Sequence, residues 1–297
     1  MDLIDKIKSY LYGRVPLRVV EVDFNTLQQN PASYIDSIVK RSSDAVVIRN
    51  FLTAGELNKI KESIAALPSD LFDVPHPGAK TFPPACSTGY PDVNARHIFF
   101  KNSERYNAQL NTMSGIDIVA KVAGLLQLLN NGKPAELAYN RVQNVPYLHG
   151  TFRLIEPVGK GMGLTSPHTG FDYALRNIEH SYAPLAAYVD VFKQVSLFTV
   201  IDKPGDGGDF TVFNFSRAQY PILQDDTLLK PNRKGAVNLY GVDNNHVTFT
   251  VNPGDAFLFA DFDLWHRVEP FTGNKIRLSY GCWAAYGIAD DKLYYWS

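Results

Sequence analysis

The second half of the chain is divided into short β-strand candidates by strong turn signals, and this punctuation limits the architecture more than any other feature. The candidates run over 151–156, 195–201, 209–215, 235–240, 246–251, 256–260 and 276–283. Between them stand Asp206-Gly207-Gly208-Asp209, Asp243-Asn244-Asn245 and Asn252-Pro253-Gly254-Asp255. In such runs glycine supplies backbone freedom, proline fixes φ, and Asn or Asp bonds its own backbone. Many short strands spaced in this way build a sandwich or a barrel. One helical segment, about 178–192, interrupts them. The expected fold is mainly β with flanking helices: a double-stranded β-helix, the jelly-roll form that cupins share.

The first half has helical patterning. Leu3, Ile4, Ile7, Tyr10 and Leu11 share helical spacing over residues 2–12. Residues 45–51 look like a buried strand, and Thr53-Ala54-Gly55-Glu56 after them fits a capping box. Leu57, Ile60, Ile64 and Leu67 continue one helical face up to Pro68. A further helix carries Ile116, Ile118, Val119, Val122, Leu125, Leu126 and Leu129, with Asn130-Asn131-Gly132 as its stop. Residues 74–94 are rich in Pro, Gly and aromatics and lack a clear period, which suits a wall over a site. A single domain over 1–297 is expected, with a helical buttress over about 1–140 and the β-core over about 141–297.

Composition excludes several partners. The net charge is −1 and there is no basic tract, so nucleic acid is not an expected partner. No apolar run is long enough to cross a membrane, and Met1-Asp2-Leu3-Ile4-Asp5 lacks the basic start of a secretion signal. Cys86 and Cys282 read as two reduced thiols in a cytoplasmic protein. With 18 Phe and 16 Tyr, the chain can furnish both strands and an apolar pocket.

Of the seven histidines, each taken singly is more often a surface or satisfied core residue than a ligand. His168 and His266 stand out by context. His168 follows Ser166-Pro167 and precedes Gly170 by two residues. His266 lies in Trp265-His266-Arg267-Val268, and Arg277 and Ser279 follow on one face of a final strand. Non-haem iron oxygenases bind Fe(II) through two histidines and a carboxylate on one face, leaving other positions open. The usual form is His-x-Asp or His-x-Glu, a distal His, and then Arg-x-Ser, whose Arg pairs with the far carboxylate of 2-oxoglutarate. All of it is present except the acid, whose position holds Gly170. Asp172 would need an unusual loop to serve instead, and Asp261 and Asp263 read as surface or turn residues. A glycine at a ligand position leaves room for an anion. With chloride there, O2 and 2-oxoglutarate could still drive hydrogen abstraction from a substrate carbon, followed by chloride transfer to that carbon.

At this point a family resemblance becomes specific. The chain resembles the Fe(II)/2-oxoglutarate-dependent aliphatic halogenases, most of all the freestanding ones acting on hapalindole-type indole alkaloids. The resemblance runs through residues 38–49, His168-Thr169-Gly170-Phe171-Asp172, residues 207–214, His266-Arg267-Val268 and the terminal 292–297. It implies iron at His168 and His266, halide beside Gly170, and 2-oxoglutarate at Arg277. It further implies that Asp172 is not a ligand, that Ser196 is an outer-shell residue steering the outcome toward chloride transfer, and that Asn214 is a second outer-shell residue. Independently of the resemblance, Thr81, Phe82 and Thr88 in the presumed pocket wall are candidate substrate-pocket residues, along with Thr165 just before His168. The implied substrate is a free small molecule, alkaloid or terpenoid in kind, without a carrier protein. The alternatives are a hydroxylase or desaturase with a two-histidine site, in which water fills the gap, and a non-enzymatic cupin-like binding protein.

Overall fold

Among the described residues of the second half, short strands do alternate with tight turns. The computed structural model describes residues 17–76, 78–84, 93–113, 115–157, 168–216 and 246–297. The helix expected over 2–12, the strand over 235–240, Asp243-Asn244-Asn245, Cys86, Thr88 and Thr165 lie outside the described residues, as does the side chain of Asn214.

The first elements are β1 (Val19–Asp23), α1 (Phe24–Gln29), α2 (Tyr34–Val39), β2 (Ala45–Arg49), α3 (Ala54–Ala65), β3 (Asp73–His76) and β4 (Ala79–Phe82). Then come α4 (Val93–Met113), α5 (Ile118–Leu129), β5 (Ala135–Leu137), β6 (Tyr139–Asn140), β7 (Val145–Pro146) and β8 (Thr151–Ile155). Next are α6 (Gly170–Asn177), α7 (Ala183–Ala186), β9 (Val195–Asp202), β10 (Phe210–Ser216) and β11 (His246–Phe249). The chain finishes with β12 (Ala256–Phe259), β13 (Leu264–Val268), β14 (Arg277–Tyr286) and β15 (Leu293–Trp296).

The large sheet runs β1-β2-β12-β9-β14-β8-β4-β3, with β15 pairing β14 and β5. The small sheet runs β11-β10-β13. This is a jelly roll, mainly β with helices on the outside. Along β9 the side chains alternate: Ser196 and Phe198 face the space between the sheets, and Leu197 and Thr199 are buried on the other side. Helices α2 and α3 pack against β9. Between the sheets Phe198, Phe210, Phe249, Phe257 and Phe259 form a ladder; Phe210 lies 5.0 Å from Phe198 and 5.0 Å from Phe259 between ring centroids. The ladder ends on an imidazole, with Phe259 4.7 Å from the His266 ring.

Helix α3 starts at the expected capping box. The Glu56 amide donates to Thr53 Oγ1 at 3.3 Å and the Thr53 amide donates to Glu56 Oε2 at 2.9 Å. Helix α5 buries the expected face, Ile118, Val119, Val122, Leu125, Leu126 and Leu129.

Two expectations are corrected. The helical segment over 178–192 is broken: α6 ends at Asn177, α7 is one turn with Pro184 at its start, and Val191–Lys193 is a 3-10 turn. Pro184 has no N–H to donate and cannot sit inside a continuous helix. The described part of 74–94 does wall a cavity, through Pro75, Ala79, Lys80 and Thr81, but it has regular structure that its sequence did not announce. β3 and β4 form a hairpin that pairs with β8, and α4 begins at Val93. Pro75 is tolerated because β3 is the sheet edge, where a missing ladder donor costs little.

Candidate active site

His168 and His266 are brought together by backbone pairing. The His168 amide donates to the His266 carbonyl at 3.1 Å, and the His266 amide donates to the His168 carbonyl at 3.0 Å. Residues directly opposite in an antiparallel pair project to the same face, and the two rings stand with centroids 4.3 Å apart. His266 Nδ1 lies 3.0 Å from the Leu264 carbonyl. That contact places the ring proton on Nδ1 and leaves the Nε2 lone pair free. Burial lowers the His266 pKa to about 4, so the ring is neutral at physiological pH, the form that binds metals.

Gly170 opens α6. The Thr169 hydroxyl accepts from the Asp172 amide at 3.3 Å and donates to Asp172 Oδ2 at 3.1 Å. Asp172 is thereby engaged in the helix cap rather than directed at the imidazoles. The Gly170 amide donates to the Asp261 carbonyl at 2.7 Å. A Cβ at Gly170 would fall 1.9 Å from Asp261 Oδ2 and 2.6 Å from Gln194 Nε2.

Asp261 is therefore not a surface residue; its side chain is 4% exposed. Its Oδ2 accepts from Gln194 Nε2 at 2.9 Å and from Trp283 Nε1 at 3.1 Å. Its Oδ1 stands 3.3 Å from His266 Nε2. Burial raises the Asp261 pKa while it lowers that of His266. Both shifts disfavour charge, so the contact is not a simple ion pair. Asp263 is partly exposed and pairs with Arg41 at 3.2 Å. The turn-like run Ala260-Asp261-Phe262-Asp263 hid the difference between them. The signal in the sequence was the position of Asp261 between a fully apolar strand and His266.

Arg277 is 3% exposed. Its Nε donates to the Gly208 carbonyl at 2.9 Å and its Nη1 donates to Ser279 Oγ at 3.2 Å. The Gly208 carbonyl reaches it because Gly207 and Gly208 adopt φ of +75° and +71°, a conformation that other residues rarely hold. Burial lowers the Arg277 pKa to about 10, and it remains a cation at neutral pH. Among the described residues no carboxylate pairs with it, so a buried guanidinium faces the cavity with capacity for an anion.

One cavity between the sheets joins these groups. His168, His266, Arg277, Ser279, Ser196 and Thr81 all line it. Phe82 does not; it is fully buried in the core, 6.0 Å from the Phe72 ring. In an alternating strand, Thr81 and Phe82 must face opposite ways. The cavity also holds Arg153, Tyr173 and Trp283, which the sequence did not single out. Arg153 sits opposite Ser279 in the β8–β14 register and lies 5.4 Å from the Trp283 ring. The alternation of β8 beside β14 was the available signal for Arg153.

The Carrier-protein-independent halogenase WelO5 family model matches residues 16–297. The chain belongs to the WelO5 family. No curated protein matches it. Among solved structures, this WelO5-family chain is similar to an N-substituted L-amino acid dioxygenase from Burkholderia ambifaria AMMD. The TM-score is 0.56 at 16% identity, covering 89% of this chain and 90% of that one. The same enzyme in complex with alpha-KG gives 0.55 at 16% identity, over 89% and 90% of the two chains. At that identity the likeness is one of fold. Among the described residues of this family member, no three His, Cys, Asp or Glu side chains close into a metal cage. No helix among them is long and apolar enough to cross a membrane.

Proposed function

We propose that the chain is an Fe(II)- and 2-oxoglutarate-dependent halogenase that chlorinates an unactivated aliphatic carbon of a free small molecule. The observation that carries the reading is Gly170: beside two paired imidazoles, the position that would supply a carboxylate has no side chain. Membership of the carrier-protein-independent halogenase family supports the same reading.

The donor set fits a divalent metal. Neutral nitrogen donors suit iron, and His266 presents a lone pair from a ring oriented by a backbone carbonyl. His266 Nε2 and Asp261 Oδ1 stand 3.3 Å apart, a spacing that two donors to one cation also adopt. When bound, iron would supply activation of O2 and removal of a hydrogen atom from the substrate carbon. The chain does the rest. His168 and His266 hold the metal. Arg277, fixed by Gly208 and Ser279, receives the far carboxylate of 2-oxoglutarate and orients its other end toward the imidazoles. Chloride takes the space next to Gly170. Ser196 lines the cavity between these groups and is the residue able to bias the outcome by a hydrogen bond; Asn214 is the second candidate for that role. Thr81 lines the substrate side, with Thr88 and Thr165 as further candidates. The Phe ladder keeps water from the reacting carbon. The substrate enters without a carrier, and an apolar alkaloid or terpenoid suits the aromatic walls.

A second reading, hydroxylation or desaturation, is favoured by the Asp261 carboxylate against Gly170. The two are separated by anaerobic addition of Fe(II), 2-oxoglutarate and then chloride or bromide. The halogenase shifts the metal absorption band on halide addition, and anomalous scattering from bromide appears beside Gly170 in soaked crystals. An absorption band indifferent to halide, with no bromide peak, rejects the halogenase in favour of the oxygenase.

A further inference from the structure

Asp261 is the buried group that the proposed reaction leaves without a part. A carboxylate removed from water is costly unless hydrogen bonds and charge compensate it. This one is held by two neutral donors on one oxygen: Gln194 Nε2 and Trp283 Nε1 both reach Oδ2. The backbone fixes it as well, since the Asp261 carbonyl accepts from the Gly170 amide at 2.7 Å and its amide donates to the Phe259 carbonyl at 2.8 Å. With Oδ2 anchored, Oδ1 is the oxygen left to act, and it stands 3.3 Å from His266 Nε2. Two ligands of one metal with bonds of about 2.0–2.2 Å lie roughly 2.9–3.5 Å apart, from right-angled to tetrahedral geometry.

The second observation concerns space. A Cβ built on Gly170 falls 1.9 Å from Asp261 Oδ2 and 2.4 Å from its Cγ. The volume that a residue at 170 would use for its own carboxylate is already filled by a carboxylate from the β12–β13 turn. The acid missing from the sequence position is present in the space.

We propose that Asp261 is the resident occupant of the anion place beside the metal: it ligates the metal when no halide is bound and gives way when halide arrives. The proposal rests on the reading of His168 and His266 as metal ligands and of Gly170 as the halide position. The exchange is balanced in charge, one monoanion leaving the metal as another joins it, with no electron transferred. The released carboxylate turns off the metal, and Oδ2 leaves the space beside Gly170 by giving up its bonds to Gln194 and Trp283. The two imidazoles and Asp261 do not close into a three-ligand cage. Asp261 therefore reaches the metal by a small movement of its side chain from its place 3.3 Å from His266 Nε2. The device would hold metal in the resting protein and make halide compete for its place.

Asp261→Asn is the direct test. The amide oxygen still accepts from Gln194 and Trp283, while the charge and the metal-directed oxygen are lost. Thermal unfolding of the metal-free proteins checks that the fold is kept, and Asp261→Ser serves if the Asn variant does not fold. In halide-free buffer, titration with Co(II) followed by its visible absorption is expected to show metal affinity at least tenfold weaker in the variant. With Fe(II) and 2-oxoglutarate present, the chloride midpoint is expected to fall at least tenfold, since the internal competitor is gone. Equal Co(II) affinities would overturn Asp261 as a ligand, and equal chloride midpoints would overturn the exchange. If neither protein responds to halide, the halide reading of Gly170 fails, and the Co(II) titration still judges Asp261 as a ligand.

Discussion

Gly170 and Asp261 share a space with room for one of their side chains: a Cβ on the first would stand 1.9 Å from Oδ2 of the second. Moving the carboxylate costs the hydrogen bonds that Gln194 and Trp283 both make to that oxygen. Gly170→Ala is therefore expected to cost about 1–3 kcal/mol, the range for forcing a methyl group into a filled interior. The cost should be much smaller when Asp261→Ser is already present. A double-mutant cycle by urea denaturation measures this coupling, and additive costs would show that the two residues do not compete.

Gly170→Asp brings a second carboxylate to the same place. It is expected to abolish the halide-dependent absorption change of the Fe(II)–2-oxoglutarate protein and to end chlorination, with hydroxylated product appearing in its stead. Product mass spectrometry on a substrate that the wild-type protein chlorinates checks this, and chlorination at the wild-type rate would remove Gly170 from the halide site.

Arg277 offers a buried cation whose only described hydrogen-bond partners are a carbonyl and a hydroxyl. Replacing it with Leu removes a charge-assisted contact worth about 1.5–3 kcal/mol, or roughly 10–100-fold in the 2-oxoglutarate requirement. Steady-state titration of the co-substrate, or equilibrium binding to the Fe(II) protein without oxygen, reads the change. An unaltered requirement would take Arg277 out of its role.

The pH dependence of stability has a source outside the site. Burial lowers the His149 pKa to about 4, and its Nδ1 lies 2.8 Å from the Tyr295 hydroxyl. In the unfolded chain a histidine titrates near ~6.5. Between those values the unfolded state binds the extra proton, so stability rises with pH across the window and is lost as pH falls from about 6.5 toward about 4. His149→Gln should flatten part of that slope, by about 1–3 kcal/mol over the window, in urea denaturation at a series of pH values.

Helix α3 depends on reciprocal capping by Thr53 and Glu56, and Glu56 also meets Lys121 of α5 at 2.8 Å. Thr53→Ala is expected to lower unfolding free energy by about 1 kcal/mol without changing metal or co-substrate binding. Denaturant unfolding beside a Co(II) titration separates the two effects.

The parts of this molecule legible in the sequence were those written in local chemistry. Turn residues such as Asn252-Pro253-Gly254-Asp255 marked the jelly roll, and the Thr53–Glu56 spacing marked the start of α3. Arg277 and Ser279 could be placed on one face because a strand repeats every two residues. Asp261 could not be placed, because its burial arises from a turn packing under α6, and the chain near it reads like any polar turn. Arg153 was hidden for a similar reason: its neighbour Ser279 lies across a ladder from a distant strand. Phe82 was assigned to the pocket from composition, and only the pairing of β4 with β8 decides which way it points.

Trp283 donates its indole N–H to the same Asp261 oxygen that fills the space at Gly170. The chain has only three tryptophans, so a movement of that carboxylate would alter the polarity around one of few emitters. The hydrogen bond thus gives the protein a native fluorescence signal for what happens beside Gly170, readable without labels and without turnover.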